Sequence, residues 1–224
     1  MRRWLWAKMK NFGTSLLLIA SGVLLASCVA RKSPEAVQRD EQASTRQCLA
    51  ELSAKSVSFS RLPDQNFAGG CRTTNTIKLL DFGTPTTNLG AMTCPLASNF
   101  AAWAQFAVRP AARQYFGSDI ARIETFGTYS CRNIGGGQTG RLSEHGLANA
   151  VDVSAFVLRN GRRITVLDGW NGRQDEREFL RRMHASACKR FGTVLGPDYN
   201  AAHANHFHFD MAAGRIGGIW SYCR

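Results

Sequence analysis

The chain has 224 residues, 44% of them hydrophobic and 20% charged, which allows one domain with an appendage and excludes a largely disordered polymer. Its formal net charge of +12 suits anionic partners such as wall polymer or lipid head groups. The basic residues form no clustered stripe with interleaved aromatics, so nucleic acid is not an expected partner.

Arg2, Arg3, Lys8 and Lys10 open the chain, and a mostly apolar run of 13 residues follows over 14–26. A bilayer span needs about 20 residues, so 1–27 reads as a secretory signal peptide. The run ends in Leu25-Ala26-Ser27-Cys28, which resembles the bacterial lipobox and implies cleavage before Cys28 and lipidation of its thiol. An ordinary cleaved signal and an uncleaved helical anchor are the alternatives. Lipidation would hold the protein at a membrane of the bacterial cell envelope, on the periplasmic side, each buried CH₂ contributing about 0.8 kcal/mol. Val29 stands where an Asp can signal inner-membrane retention, which points to the outer membrane. Residues 28–46 are polar and charged and read as a lipidated N-terminus and tether, leaving 47–224 as the folded domain. Four basic and no acidic residues fall in 1–27, so 24 basic against 16 acidic residues leave the remainder at +8.

Helical composition runs over 33–56, beginning at Ser33-Pro34. Residues 64–75 are turn-rich, 76–82 read as a short strand, and 95–116 as an apolar helix that Pro110 should kink or break. Beyond residue 121 the pattern turns to strands. Residues 122–131 carry β-branched and aromatic side chains, 134–138 form a glycine-rich loop, and the runs 151–158 and 162–167 flank Asn160-Gly161 as a tight hairpin. A helix over 174–191, an irregular connection over 192–205 and a strand over 206–211 complete the reading. Helices first and hairpin strands later predict an α+β fold with an antiparallel sheet.

Cys48, Cys71, Cys94, Cys131, Cys188 and Cys223 remain once Cys28 is set aside. An even number without close C-x-x-C pairs, in an exported chain, predicts three disulfides. Of the 15 pairings that six cysteines allow, the preferred one is Cys48–Cys71, Cys94–Cys131 and Cys188–Cys223.

Four of the five histidines fall in or beside two stretches, 143–152 and 203–210. In a strand, His206, His208 and Asp210 face one side while Phe207, Phe209 and Met211 anchor the other. Asp152 lies in an otherwise apolar run with Val151, Val153, Ala155 and Val157, where a buried carboxylate is costly unless paired with an arginine or bound to metal. With His145 seven residues earlier, both side chains could reach one ion, and imidazole with carboxylate is a zinc donor set.

Ser143-x-His145-x(6)-Asp152 followed by His206-x-His208 resembles the group that unites lysostaphin-type endopeptidases, D-Ala-D-Ala metallopeptidases and the hedgehog signalling domain. More closely, residues 48–223 are similar to the extensin-like C-terminal domain family of bacterial envelope proteins. The signposts are Tyr129-Ser130-Cys131-Arg132, Arg141-Leu142-Ser143-Glu144-His145, the run from Phe191 to Asn200, and His203 to Asp210. The resemblance implies a hedgehog or DD-peptidase-like sheet that carries one Zn²⁺ on His145, Asp152 and His208, flanked by helices and stapled by disulfides. It further implies that His206 is the catalytic base and that Arg132 receives a substrate carboxylate; Ser143, Glu144 and Asp210 are candidates to orient the ligating imidazoles. The group's pattern has Gly where this chain has Ala148; if positive φ is needed there, Gly146 could absorb the change. His184 and His203 read as ordinary surface or core residues. The expected activity is zinc-dependent hydrolysis of a D-amino-acid-containing peptide bond in peptidoglycan stems, by a DD-carboxypeptidase or DD-endopeptidase. The alternative is a non-catalytic, zinc-containing envelope protein that binds or tethers to peptidoglycan.

Overall fold

The computed structural model describes residues 33–137, 139–212 and 222–224. The expected signal peptide, the lipidation site Cys28 and the first residues of the tether lie outside that range. Among the described residues no helix is long and apolar enough to cross a membrane.

Helix α1 (Pro34–Ala54) starts where Ser33 caps it, the hydroxyl accepting from the Ala36 amide at 3.2 Å. Pro34 sits in the first turn, where a missing N–H costs nothing. The helix expected over 33–56 is thus present, and the polar residues from 34 to 46, also read as a tether, are its front. Leu52 is its one buried side chain, so α1 has little apolar hold on the domain and is fastened by the Cys48–Cys94 disulfide. Strand β1 (Ser58–Arg61) and the short hairpin β2 (Gln65–Asn66) with β3 (Arg72–Thr73) lead to β4 (Thr76–Asp81), which pairs with both β1 and β5 (Met92–Thr93).

Helix α2 (Cys94–Trp103) passes through a π-helical turn, Ala104–Val108, into α3 (Arg109–Phe116) without breaking. The Arg109 amide reaches back five residues to the Ala104 carbonyl, and Pro110 falls in the first turn of α3. Pro110 has no N–H to give, and the chain widens into one π-turn just ahead of it, so the expected break does not occur.

The main sheet is built from β6 (Ile120–Gly127), β7 (Ala150–Leu158), β8 (Arg163–Thr165), β9 (Thr193–Leu195), β10 (Phe207–Asp210) and β11 (Tyr222–Cys223). In space the order is β11-β9-β10-β7-β6, with β8 continuing along the β7 edge that β10 occupies first. Every pairing is antiparallel except β9 with β11. The hairpin after β7 closes through the Leu158 amide on the Arg162 carbonyl at 2.8 Å, with Gly161 at φ 88° and Asn160 outside the left-handed region. Three loop residues, 159–161, make the turn, as the expected strand bounds leave them. Beyond β8 the chain turns into α4 (Val166–Gly169), where an unbroken strand was expected, and then α5 (Gln174–Ala187). Strand β9 was expected to be irregular; three residues are too few to show a period of two.

Trp103 organises the core, its ring 5.1 Å from Phe209, 5.9 Å from Phe100 and 6.0 Å from Phe156. Its buried indole N–H donates to the Ser186 hydroxyl at 2.9 Å, tying α2 to α5. Phe179 of α5 meets Phe156 edge-on at 5.1 Å, so both helices press on one face of the sheet. Strand β7 serves that face with Val151 and Val153, and then with Phe156 and Leu158. The change of phase comes from one extra residue, Ser154, because Glu124 pairs with Ala155 while the adjacent Thr125 pairs with Val153. This bulge lets Phe156 enter the core while Asp152, which would otherwise share its face, points to the opposite side.

Two of the three expected disulfides pair differently. Cys48 bonds Cys94 and Cys71 bonds Cys131, whereas Cys188–Cys223 is as expected. Cys48 lies on α1, which packs along α2 where Cys94 begins it. Cys71 leaves the β2–β3 loop and lies against Gly146, where a Cβ would come within 3.0 Å of its sulfur.

Candidate metal centre

His208 and Asp152 face each other in register on adjacent strands β10 and β7, so their side chains leave the sheet together. Behind them Phe207 and Phe209 lock β10 to the core, with Phe209 stacked on Phe191 at 4.8 Å. His145 comes from outside the sheet, on a 3₁₀ turn spanning Glu144–Leu147. The Ser143 hydroxyl caps that turn by accepting from the His145 amide at 3.3 Å, and Ala148 closes it in the left-handed conformation. All three side chains are buried.

Nε2 of His145, Nδ1 of His208 and Oδ1 of Asp152 form a triangle with edges of 3.1, 3.1 and 3.0 Å. The opposite ring nitrogens are committed elsewhere. Nδ1–H of His145 donates to the Thr128 carbonyl at 3.2 Å, and Nε2–H of His208 donates to the Asp210 carboxylate at 3.1 Å. These bonds fix the tautomers, so both remaining nitrogens turn a lone pair toward the carboxylate oxygen. Three lone pairs that close in a buried site repel unless a cation sits among them. Donors about 2.0–2.1 Å from a tetrahedral ion stand about 3.3 Å apart, close to the observed edges. The residues therefore fit a divalent metal ion.

Without a metal ion, a proton takes the cation's place between His208 and Asp152. Burial alone would push the His208 imidazole down, but hydrogen bonds to Asp152 and Asp210 raise its pKa to about 9. Burial would likewise raise the Asp152 carboxyl, yet hydrogen bonds with His145 and His208 hold it well below the usual carboxylate range.

The other expected site residues stand around this triangle. His206 brings Nε2 to 3.6 Å from Asp152 Oδ1, while its Nδ1–H donates to the Asn205 side chain at 2.8 Å. The Arg132 guanidinium is 3.9 Å from Asp152 Oδ2 and half exposed. Asp210 holds His208 directly, and Ser143 acts on His145 through the backbone. Glu144 supports the loop instead of an imidazole, accepting from the Asn149 amide group at 2.7 Å. His203, read from the sequence as an ordinary residue, belongs to the site's rim, its ring 5.1 Å from His206 and 6.0 Å from His208. Burial lowers its pKa to about 4, so it stands there neutral. Phe126, 57% exposed, meets the His206 ring at 5.6 Å. Four residues lie between His203 and His208, and His203 ends a 3₁₀ turn (Ala201–His203) ahead of β10, so strand periodicity could not place it.

Fold and site together define a disulfide-stapled α/β protein with antiparallel sheets, flanking helices and a buried His-Asp-His cluster that could hold a divalent metal ion. A family model described as Extensin-like protein C-terminus matches residues 46–224. The chain belongs to that family. No curated protein and no solved structure matches it.

Proposed function

We propose that the protein is a zinc-dependent hydrolase that cuts a D-amino-acid-containing peptide bond of peptidoglycan stems, as a DD-carboxypeptidase or DD-endopeptidase. The reading extends the resemblance to the lysostaphin, D-Ala-D-Ala peptidase and hedgehog group, and the observation that carries it is the convergence of three lone pairs from His145, Asp152 and His208. Zinc, when bound, supplies a Lewis acid and brings the pKa of water down to about 7.

The chain's own residues divide the remaining work. His206 keeps Nε2 as an acceptor because Nδ1–H is given to Asn205, so this imidazole can take a proton at the edge of the triangle and return it to a leaving amine. Arg132 offers a half-exposed guanidinium fork that suits a terminal carboxylate. The Cys71–Cys131 bridge ends one residue before Arg132 and so fixes the stem from which its guanidinium projects. Lipidation at Cys28 would place the domain on the periplasmic side of the envelope, at the outer membrane, where a basic surface meets wall polymer.

The test is incubation of the full chain with muropeptides, alongside a chelated sample and His206→Ala. Loss of a terminal D-residue or of a cross-link should appear with the native protein and fall at least about 100-fold in both controls. Unchanged muropeptides from a preparation with zinc bound would overturn the peptidase reading. If that preparation also pulls down wall material, the protein binds or tethers to peptidoglycan without cutting it.

A further inference from the structure

On the core side of the sheet, behind His208, lies a second set of metal-type donors. His184 and Cys188 are one helical turn apart at the end of α5, and β11 delivers Cys223 by pairing it with Val194 of β9. One ring nitrogen of His184 and the two sulfurs all lie within 4.8 Å of one another, although the sulfurs are joined as a disulfide. We propose that this staple is a redox-gated site for a soft divalent metal ion, in which opening the Cys188–Cys223 bond frees two thiolates to bind the ion together with His184.

The imidazole is already set for the role. Its Nε2–H donates to the Arg224 carbonyl at 3.0 Å, which leaves the Nδ1 lone pair facing Cys188 Sγ at 3.9 Å. This is the same tautomer-fixing arrangement that His145 makes with Thr128. The ring cannot swing away, because Trp170 and Phe207 pack against it at 5.7 and 5.6 Å, and a Cβ on Gly196 would come within 3.0 Å of it. Burial pushes its pKa down, so the nitrogen stays unprotonated at neutral pH.

Around one ion with bonds of about 2.3 Å to sulfur, the two sulfurs would stand about 3.7 Å apart, a change that side-chain rotation can supply. The chemistry balances with an external dithiol as reductant. The protein disulfide takes up two electrons and two protons to become two thiols, the dithiol becomes a cyclic disulfide, and the metal ion then displaces both thiol protons. Two thiolates and an imidazole select zinc and similar soft ions over calcium or magnesium. The C-terminal strand thus stays fastened to α5 in either redox state, by a covalent bond or by a coordinated ion.

Cobalt(II) distinguishes this site from the His145, Asp152 and His208 cluster, which has no sulfur. The full chain, reduced with a phosphine that is then removed and kept without oxygen, should develop sulfur-to-cobalt charge-transfer absorption that the oxidised chain lacks. His184→Ala should weaken this binding at least tenfold, and Cys188→Ser with Cys223→Ser should abolish the band. The proposal fails if reduced protein with native circular dichroism shows no such band, if His184→Ala binds as tightly, or if the band survives in the double variant. Should the double variant not fold, reduced His184→Ala with native circular dichroism decides alone. None of these outcomes depends on peptidase activity.

Discussion

Ala148 closes the turn that aims His145, and it does so at φ 52° and ψ 30° with its methyl group fully buried. A non-glycine residue in this conformation costs about 1–2 kcal/mol through contact between Cβ and the following carbonyl. Gly146 does not relieve it. It lies outside the positive-φ region and is small for another reason, since a Cβ there would strike Cys71 and Leu142 at 3.0 Å. The left-handed position is therefore Ala148 itself, held by its N–H donating to the His145 carbonyl at 3.1 Å and by the Thr93 N–H donating to its own carbonyl at 2.9 Å. Ala148→Gly exchanges that strain for a lost methyl burial of about 0.8 kcal/mol. The relief is the larger quantity, so the variant should gain up to about 1 kcal/mol in denaturant melts and keep its metal affinity. A loss of more than about 1 kcal/mol would mean that the methyl contacts outweigh the backbone strain.

At the scale of elements, what was legible in the sequence was whatever repeats over several residues or needs only one strand. The alternation of His208 and Asp210 against Phe207 and Phe209 predicted both faces of β10, because a strand's geometry alone enforces it, while His206, expected in the strand, stands just ahead of it. The bulge at Ser154 was not legible, since it exists only as a mismatch between β6 and β7 and leaves no mark in either strand alone. The disulfide partners were hidden for a related reason: proximity along the chain pairs Cys48 with Cys71, whereas the packing of α1 on α2 pairs it with Cys94. That bridge has a measurable role. It spans 46 residues and holds a helix with one buried side chain, so Cys48→Ser with Cys94→Ser should cost about 2–4 kcal/mol of stability. Hydrogen exchange should show residues 34–54 losing protection first, well before β7 and β10. Protection of α1 equal to that of the native chain would show that helix packing, not the disulfide, secures it.

For the whole molecule the consequence is a division between the two faces of one sheet: helices and aromatic rings fill one side, and the opposite side gathers charge that only a cation can reconcile. That charge links global stability to pH. The folded pKa of His208, about 9, stands above the ordinary imidazole value of 6.5, so its protonated form favours the native state. The contribution is fully present below pH 6.5 and is lost as pH rises through about 9. A shift of this size corresponds to on the order of 3 kcal/mol. Chelated protein should therefore melt at progressively lower temperature as pH is raised from 6.5 to 9.5. With zinc in excess the ion takes the place of the proton, so the decline should vanish, and binding at pH 7.5 should release about one proton into a weakly buffered solution. Parallel melts with chelator and with zinc measure both limbs. If the two curves fall together with rising pH, zinc is not replacing the His208 proton, and the His145, Asp152 and His208 triangle is not where it binds.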